Sequence, residues 1–284
     1  MAQGQPGLRG VSTRLAVLGS PIAHSKSPQL HAAAYRALGL DWQYEAVEVL
    51  GDDLEAFVDS RDDTWRGLSL TMPLKRDVVP LLDAIDPVAD LTGGANTLLF
   101  DDGHRTGFNT DVFGIVEAFR AAGVDRVSTA QVLGGGATAA SAIVALAQLG
   151  ALGILVSVRD PRKATDLIEV GEVLGVDVVV RRLDEGSFGT PDAVVSTLPG
   201  HADLQLDLPE DVRRSAVLFD VAYDPWPSPL ARQWQQVDGR VISGIEMLVL
   251  QALAQVRVFV NGHPDAVLDD EPTVLAAMRA AVGV

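Results

Sequence analysis

The stretch Val132-Leu-Gly-Gly-Gly-Ala-Thr-Ala-Ala140 joins a short apolar run to an alanine-rich segment through three consecutive glycines. Glycines between a strand and a helix let the backbone approach a pyrophosphate group closely, and they let the helix pack tightly on the strand. The free N–H groups at the start of the helix then bind the negative charge. The stretch predicts a strand at 131–133, a helix at 137–149 and a dinucleotide-binding turn between them, with an ordinary glycine turn as the alternative.

On both sides of this turn, short apolar runs alternate with amphipathic stretches. The alternation is typical of βα units around a mainly parallel sheet, so we predict an α/β fold. The expected strands lie at 14–18, 42–49, 67–70, 154–158, 178–180, 193–197 and 217–220. The expected helices lie at 28–38 with Ser27 as N-cap, 52–60, 110–122, from 244 onward and at 272–282. A hairpin is expected from 95 to 107, turning at Asp102-Gly103.

The βα pattern restarts after Gly123, which indicates two domains. We expect an N-terminal α/β substrate-binding and catalytic domain with a mainly parallel sheet at 11–110. A Rossmann-type dinucleotide-binding domain follows at 111–243. The C-terminal helices at 244–284 are expected to pack back on the first domain.

The composition disfavours several classes of protein. The chain has 284 residues, with 22 Lys and Arg against 38 Asp and Glu, which gives a formal net charge of −16. A surface this acidic repels phosphate backbones and anionic lipid, so neither nucleic acid nor a membrane surface is an expected partner. The absence of cysteine excludes a disulfide framework, a thiolate metal site and a cysteine nucleophile. The five histidines are scattered without ligand spacing, so no metal is expected.

No stretch of the sequence resembles a targeting or membrane segment. Residues 1–10 lack the apolar region of a signal peptide, and we expect a disordered leader there. The longest apolar run, at 247–260, is interrupted by Gln251, Gln255 and Arg257. We therefore expect a cytoplasmic protein, as a monomer or a homodimer, whose partners are small molecules.

The end of the strand after the glycine turn discriminates between NADP and NAD. An NAD site usually carries an acidic residue there for the ribose 2′-OH, whereas an NADP site supplies arginine. Arg159, Arg162 and Lys163 form a local positive cluster suited to a 2′-phosphate. Asp160 could instead bind the ribose, and Asp160-Pro161 is also good cap chemistry for a solvated helix start. We predict NADP as the cofactor.

Three polar loops follow other strands in the first half of the chain. The segment Gly19-Ser-Pro-Ile-Ala-His-Ser-Lys-Ser-Pro28 presents hydroxyls and helix-end amides, which suit a small polyol or carboxylate. Lys75 lies just past a strand end, where the strands of an α/β domain open onto a cleft. Asp111 lies at the start of a helix. A lysine and an aspartate from separate strand ends can move a proton to or from an alcohol or a carbonyl.

Taken together, these segments resemble the shikimate dehydrogenase family over residues 14–262. The resemblance is carried by 19–28, by Gly67-Leu-Ser-Leu-Thr-Met-Pro-Leu-Lys75, Gly94-Ala-Asn-Thr97 and Asn109-Thr-Asp111, by the glycine turn, and by Gly244-Ile-Glu-Met-Leu-Val-Leu-Gln251. The resemblance implies an oxidoreductase that reduces 3-dehydroshikimate to shikimate with NADPH, on the route to chorismate and the aromatic amino acids.

The resemblance also implies roles for individual residues. It makes Lys75 and Asp111 the catalytic pair. The implied substrate-binding residues are Ser25, Ser27 and Tyr223 at the carboxylate and Thr71, Asn96 and Gln251 at the ring hydroxyls. The implied cofactor-binding residues are Gly134, Gly135, Gly136, Ala137 and Thr138 at the pyrophosphate, Arg159 and Lys163 at the 2′-phosphate, and Val221 and Gly244 at the nicotinamide.

The sequence departs from the family pattern at Ser69, where asparagine is frequent, and at Val158, Asp160 and Val112. Three other functions remain as alternatives. The first is a quinate/shikimate or amino-shikimate dehydrogenase, which could use NAD. The second is a non-catalytic dinucleotide-binding regulatory protein, which the presence of both Lys75 and Asp111 disfavours. The third is another two-domain enzyme such as a folate-linked dehydrogenase, which the Ser25, Ser27 and Asn96 motifs disfavour.

Overall fold

A computed structural model describes residues 13–185, 189–200, 206 and 208–284. The predicted leader at 1–10 lies outside this part of the chain. The strands are β1 (Thr13–Gly19), β2 (Trp42–Glu48), β3 (Trp65–Leu70), β4 (Ala84–Ile85), β5 (Thr97–Asp101), β6 (His104–Phe108), β7 (Thr129–Leu133), β8 (Gly153–Val158), β9 (Asp177–Arg182), β10 (Ala193–Ser196), β11 (Val217–Asp220) and β12 (Val241–Ser243). The helices are α1 (Ser27–Ala37), α2 (Gly51–Asp59), α3 (Pro87–Thr92), α4 (Asp111–Ala121), α5 (Ala137–Gln148), α6 (Asp166–Leu174), α7 (Glu210–Ser215), α8 (Pro229–Gln235), α9 (Gly244–Asn261) and α10 (Glu271–Val282).

The strands form two six-stranded sheets. The first sheet has the order β2-β1-β3-β5-β6-β4 and is mixed, because β5 pairs antiparallel with both β3 and β6. The second sheet has the order β12-β11-β10-β7-β8-β9, and each of its neighbouring strands pairs in parallel. This is the doubly wound order of dinucleotide-binding folds, which open a crevice where the strand order reverses between β7 and β10. The predicted α/β fold class is confirmed.

Apolar side chains cover both faces of each sheet. In the first sheet, Leu15 faces α1, α9 and α10, whereas its neighbour Ala16 faces the cluster that contains Leu54 and Trp65. In the second sheet, Val132 faces α4 and α5, and Leu133 faces the cluster around Trp234. Alternate side chains of a strand point to opposite faces of the sheet. A strand that is covered on both faces therefore has apolar residues at consecutive positions in the sequence. These are the runs that made the strands visible in the sequence.

Most predicted elements lie within two residues of the observed ones, and the differences have local causes. The hairpin turns at Asp102 and Gly103, both with positive φ, as expected. The predicted cap at Ser27 is wrong, because α1 begins at Ser27 and Lys26 is its N-cap residue without a side-chain cap. Six elements were not predicted, and they are short or bury few side chains: β4, β12, α3, α6, α7 and α8.

Helix α9 links the two sheets. Within the described ranges it is the one helix long and apolar enough to cross a membrane, yet 72% of its apolar window is buried in the structure. It packs on α4, α1 and α10, and α10 meets it at both ends through the ion pairs Glu246–Arg279 and Arg257–Glu271. Gly114 of α4 permits this close crossing, since a Cβ there would lie 2.8 Å from the Cβ of Gln251. The burial identifies α9 as a core helix of this fold.

Candidate active site

A cleft of about 670 Å³ lies between the carboxyl ends of the two sheets. The first sheet contributes the loops after β1 and β3, and the second sheet contributes the loops after β10 and β11. Helix α9 forms part of the wall through Gly244, Gln251 and Gln255. The carboxyl ends of parallel strands are where α/β proteins bind ligands, so the location fits a ligand-binding site.

Lys75 and Asp111 meet inside this cleft. The Lys75 ammonium donates a hydrogen bond of 2.5 Å to Asp111 Oδ2, and the two side chains are only 15% and 5% exposed. Lys75 follows β3, whereas Asp111 is the first residue of α4. The positive end of the helix dipole stabilises the carboxylate, and the carboxylate holds the ammonium in place. The predicted pair is therefore assembled in a position to act on a ligand in the cleft.

Asn96 fixes the other oxygen of Asp111. Its amide Nδ2 donates to Asp111 Oδ1 at 2.9 Å and to Thr110 Oγ1 at 2.9 Å. Its Oδ1 accepts from the Thr110 N–H at 2.9 Å and from the Thr97 hydroxyl at 2.8 Å. With 2% exposure and all these bonds, Asn96 holds the start of α4 in register with β5. Gln251 Oε1 lies 3.4 Å from the same Nδ2.

The opposite end of the cleft is lined by hydroxyl groups. Ser25 lies between β1 and α1, Ser27 is the first residue of α1, and the Ser27 N–H donates to Ser25 Oγ at 3.3 Å. Tyr223 approaches from the loop after β11, with its ring 6.0 Å from the Lys26 ammonium. Burial, and then the neighbouring Asp224, raise the pKa of Tyr223, so its hydroxyl stays protonated. Three hydroxyl donors and a nearby cation suit a carboxylate.

A buried hydrogen-bond chain supports the cleft from behind. Tyr44 donates to Ser69 at 2.7 Å, and Ser69 donates to Gln255 Oε1 at 2.9 Å. Gln255 Nε2 in turn donates to the carbonyl oxygen of Asn96 at 3.0 Å. Ser69 and Gln255 both line the cleft. Neither residue was among the predicted site residues. Gln251 and Gln255 are one turn apart on an otherwise apolar helix, and this spacing is the sequence signal for Gln255.

His31 completes this chain as a neutral side chain. Its Nε2 lies 3.2 Å from Gln255 Oε1 and its Nδ1 lies 3.1 Å from the Tyr35 hydroxyl. The amide oxygen assigns the ring proton to Nε2, and Nδ1 then accepts from Tyr35. Complete burial lowers the pKa of His31 to about 3, so the ring carries no charge near neutral pH.

The glycine turn between β7 and α5 leaves backbone donors unused. Gly134 has φ of 108°, and a Cβ there would lie 2.4 Å from Thr197 Oγ1. Gly136 is the N-cap residue of α5, which has neither a side-chain cap nor an acidic residue in its first turn. The first N–H groups of the helix therefore remain available for an anion. A pyrophosphate group is consistent with this geometry.

The positive cluster after β8 is arranged in two parts. Asp160 accepts from Arg162 Nε at 2.9 Å and from Arg162 Nη2 at 3.0 Å. Arg162 holds the pKa of Asp160 below its usual value. Arg159 and Lys163 are exposed and form no ion pair within the described part of the chain. The carboxylate that could have bound a ribose is therefore paired with Arg162, and two cations remain for a phosphate.

Val221 and Gly244 touch where the second sheet meets α9. A Cβ on Gly244 would lie 2.0 Å from the carbonyl oxygen of Val221, so only glycine fits. Two further contacts join the halves beside the cleft: the Lys26–Tyr223 contact and an ion pair of 2.7 Å between Arg76 and Asp166. Among the described residues, no group of three or more His, Cys, Asp or Glu side chains is arranged to hold a metal.

The structure gathers many of the predicted site residues into the one cleft. Those that line it are Ser25, Ser27, Thr71, Lys75, Asn96, Asp111, Thr138, Val221, Tyr223, Gly244 and Gln251. The remaining predicted residues lie beside it, on the turn and strand end of the second sheet: Gly134, Gly135, Gly136, Ala137, Arg159 and Lys163.

Comparison with known proteins gives consistent matches. The model of the shikimate dehydrogenase substrate binding domain matches residues 17–98. A shikimate dehydrogenase (NADP(+)) of Methanothermobacter thermautotrophicus is 33% identical over 260 residues, which cover 87% of this chain and 91% of that protein. The crystal structure of Mycobacterium tuberculosis shikimate dehydrogenase matches with a TM-score of 0.82 at 38% identity, over 94% of this chain and 99% of that one. The Thermus thermophilus enzyme in complex with NADP(H) and shikimate matches with a TM-score of 0.79 at 31% identity, over 95% and 99% of the two chains.

Proposed function

Because the chain belongs to the shikimate dehydrogenase family, we propose that it interconverts 3-dehydroshikimate and shikimate with NADP(H). The observation that carries the proposal is the buried Lys75–Asp111 pair in the cleft. Thr138, which follows the glycine turn, lines the same cleft. The substrate and the cofactor are small molecules, and we propose that the reaction takes place in the cytoplasm, on a monomer or a homodimer.

In this proposal the two parts of the chain divide the ligands. Residues 11–110, with the helices at 244–284 against them, bind the substrate, and residues 111–243 bind the cofactor. Ser25, Ser27 and Tyr223 hold the substrate carboxylate through their hydroxyl groups. Thr71, Asn96 and Gln251 contact the ring hydroxyls. The arrangement is supported by the common cleft that these side chains line.

The residues of the second sheet fit NADP. Gly134, Gly135, Gly136, Ala137 and Thr138 surround the pyrophosphate, which accepts from N–H groups at the start of α5. The Gly134 N–H itself donates to the carbonyl oxygen of Ser157 at 3.0 Å. Arg159 and Lys163 bind the 2′-phosphate, while Arg162 keeps Asp160 away from it. Val221 and Gly244 contact the nicotinamide ring. When bound, NADP(H) supplies or accepts the hydride at the substrate carbon.

Lys75 handles the proton that accompanies this hydride. In reduction of the ketone its ammonium donates a hydrogen bond, and then a proton, to the oxygen that becomes the alkoxide. Asp111 orients the ammonium and balances its charge, and Asn96 fixes the carboxylate. The charged ammonium also stabilises the developing negative charge before the proton moves. In the oxidative direction Lys75 takes the hydroxyl proton.

A four-way assay tests the proposal. Purified protein is mixed with shikimate or quinate, and with NADP⁺ or NAD⁺, and formation of the reduced nicotinamide is followed by absorbance. We expect the shikimate and NADP⁺ pair to give the highest kcat/KM. A preference for quinate or for NAD⁺ would favour a quinate/shikimate or amino-shikimate dehydrogenase instead. No turnover with any pair would favour a non-catalytic dinucleotide-binding protein.

A further inference from the structure

Asp220 is a buried carboxyl group that the proposed reaction does not use. It is the last residue of β11 and is only 2% exposed. None of the ion pairs formed within the described ranges includes it. Burial raises its pKa. A buried carboxyl group without a counter-ion is costly unless hydrogen bonds compensate, so its partners indicate why it is there.

The neighbours of Asp220 are neutral polar groups from the loop after β11, from the start of α8 and from β10. The Ser228 hydroxyl donates a short hydrogen bond to Oδ2. The Ala222 N–H donates to Oδ1 at 3.2 Å. Ser196, the last residue of β10, stands opposite Asp220 in the sheet register, and its side chain helps to lower the pKa of the carboxyl group. Hydrogen bonds to a carboxylate are roughly twice as strong as neutral ones, so this set holds its donors firmly.

These bonds close two loops that line the cleft. Ser228 and Asp220 flank the loop 221–227, which carries Val221 and Tyr223. Ser196 starts the loop 197–200, which contributes Pro199 and Gly200 to the cleft wall. Asp220 thus joins both loops of the second sheet at one buried point.

Ser228 transmits this anchoring to the next helix. Its Oγ accepts from the Ala231 N–H at 2.9 Å and caps α8, while its hydroxyl hydrogen points to Asp220. The loop 221–227 is therefore fixed at its start by the Ala222 N–H and at its end by a capped helix. A cavity of about 30 Å³ beside Asp220 and Ser228 has room for one water molecule.

We propose that Asp220 is a positioning residue, which holds Tyr223 against the substrate and Val221 against the nicotinamide by closing the loop 221–227 through Ser228. The inference rests on the proposed function, because it assigns the loop its ligands. The Asp220 carboxylate itself lies behind the loop and takes no part in the chemistry.

Asp220→Asn tests this role with little change in volume. The asparagine oxygen still accepts from the Ala222 N–H, but its NH2 group faces Ser228 Oγ and leaves the serine hydroxyl hydrogen without an acceptor. We expect the KM for shikimate to rise about tenfold and kcat to fall about tenfold, because small misplacements of positioning groups cost this much or more. The dissociation constant of NADP⁺ should stay within about threefold, since Arg159 and Lys163 bind its other end.

A matched control separates this effect from loss of a carboxylate anywhere in the sheet. Asp192 accepts hydrogen bonds from the N–H groups of Ser128 and Thr129, next to the starts of β10 and β7 and at the end of the sheet away from the cleft. Asp192→Asn should leave both KM values and kcat unchanged. Ser228→Thr keeps the cap and the donor to Asp220 and should behave as the wild type, whereas Ser228→Ala should resemble Asp220→Asn.

Trp226 reports the order of the loop directly. It lies in the loop 221–227 and is 38% exposed. Quenching of its fluorescence by acrylamide should increase in Asp220→Asn, and the increase should vanish when Trp226→Phe is added. The inference is overturned if Asp220→Asn lowers only the melting temperature, with kcat, KM and quenching as in the wild type. Failure of the proposed function is distinguishable, because the wild type would then be inactive with shikimate.

Discussion

At the residue scale, the proposed function makes turnover depend on the ammonium of Lys75. Lys75→Met removes the proton donor and keeps an unbranched chain of similar length. We expect kcat to fall at least about a hundredfold, the usual contribution of a positioned acid. The KM for shikimate should change less than about threefold, because the lost interaction acts mainly in the transition state. Steady-state rates with shikimate and NADP⁺ measure both.

Arg36→Met is the control for this substitution. Arg36 is an exposed cation in the last turn of α1, outside the cleft. Its replacement should leave both constants unchanged. Turnover of Lys75→Met close to that of the wild type would show that Lys75 is not the proton donor.

His31 links stability to pH. Its pKa is about 3 in the folded protein against 6.5 as the ordinary value. The unfolded chain therefore binds a proton below about pH 6.5 that the folded protein does not, so this contribution to stability is present above pH 6.5 and lost as the pH falls. The slope approaches about 1.4 kcal/mol per pH unit.

His31→Gln should remove this slope. The free energy of unfolding, measured by urea titration from about pH 4 to 6, should depend less steeply on pH than in the wild type. His104→Gln, at an exposed position, is the control and should keep the wild-type slope. An unchanged slope in His31→Gln would mean that the ring is protonated in the folded state.

At the scale of elements, the start of α9 against the loop after β11 is the tightest contact in the site. A Cβ on Gly244 would lie 2.0 Å from the Val221 carbonyl oxygen, and backbone atoms cannot rotate away. Gly244→Ala should lower the free energy of unfolding by roughly 1–3 kcal/mol, as other overpacked sites do. Urea unfolding midpoints measure the loss.

Gly153→Ala is the matched control, because a Cβ at Gly153 meets nothing within 4 Å. Its unfolding midpoint should stay near that of the wild type. If the two alanine variants unfold at the same urea concentration, α9 is free to shift away from Val221.

The elements that the sequence predicted are those buried on both faces or carrying strong turn signals. Such signals mark the predicted strand at 131–133, the turn at Asp102-Gly103 and helix α5, and the structure has all three. The sequence Ser-Pro occurs at the start of both α1 and α8. Ser228 caps α8 with its side chain, whereas Ser27 is the first residue of α1 and does not cap it. Local sequence does not determine which residue becomes the cap.

The residues of the candidate site that follow strand ends could be predicted from the sequence. The residues that hydrogen-bond between distant elements could not. Lys75 and Asp111 each follow a recognisable strand or start a helix, and the carboxyl ends of strands converge by geometry. The chain from Tyr44 through Ser69 to Gln255 joins residues as many as 186 positions apart. No periodicity encodes that contact, because it arises only when α9 packs on the first sheet.

For the whole molecule, the net charge of −16 has to be reconciled with two anionic ligands. Arg159 and Lys163 provide a positive potential at the strand end beside the cleft, Lys75 provides it inside the cleft, and Lys26 provides it next to Tyr223. Asp160 is paired with Arg162, so in the proposed function Arg159 and Lys163 bind the 2′-phosphate and Asp160 does not bind the ribose. The negative net charge therefore disfavours large polyanionic partners. The local positions of these cations still allow small anionic ligands to bind.

Arg159→Ala tests this distribution of charge. We expect the KM for NADP⁺ to rise at least about tenfold, while the KM for NAD⁺ stays within about threefold, because only NADP⁺ carries the 2′-phosphate. Arg126→Ala, at the opposite end of the second sheet, should change neither value. A parallel rise of both constants in Arg159→Ala would show that Arg159 supports the fold rather than the phosphate.

A crystal structure of the protein with shikimate and NADP⁺ tests the central claim most directly. We expect a shikimate hydroxyl within hydrogen-bonding distance of Lys75 Nζ and the shikimate carboxylate on Ser25, Ser27 and Tyr223. We also expect the pyrophosphate at the start of α5 and the 2′-phosphate on Arg159 and Lys163. Shikimate bound away from the Lys75–Asp111 pair, or a cofactor whose 2′-phosphate avoids Arg159, would contradict it.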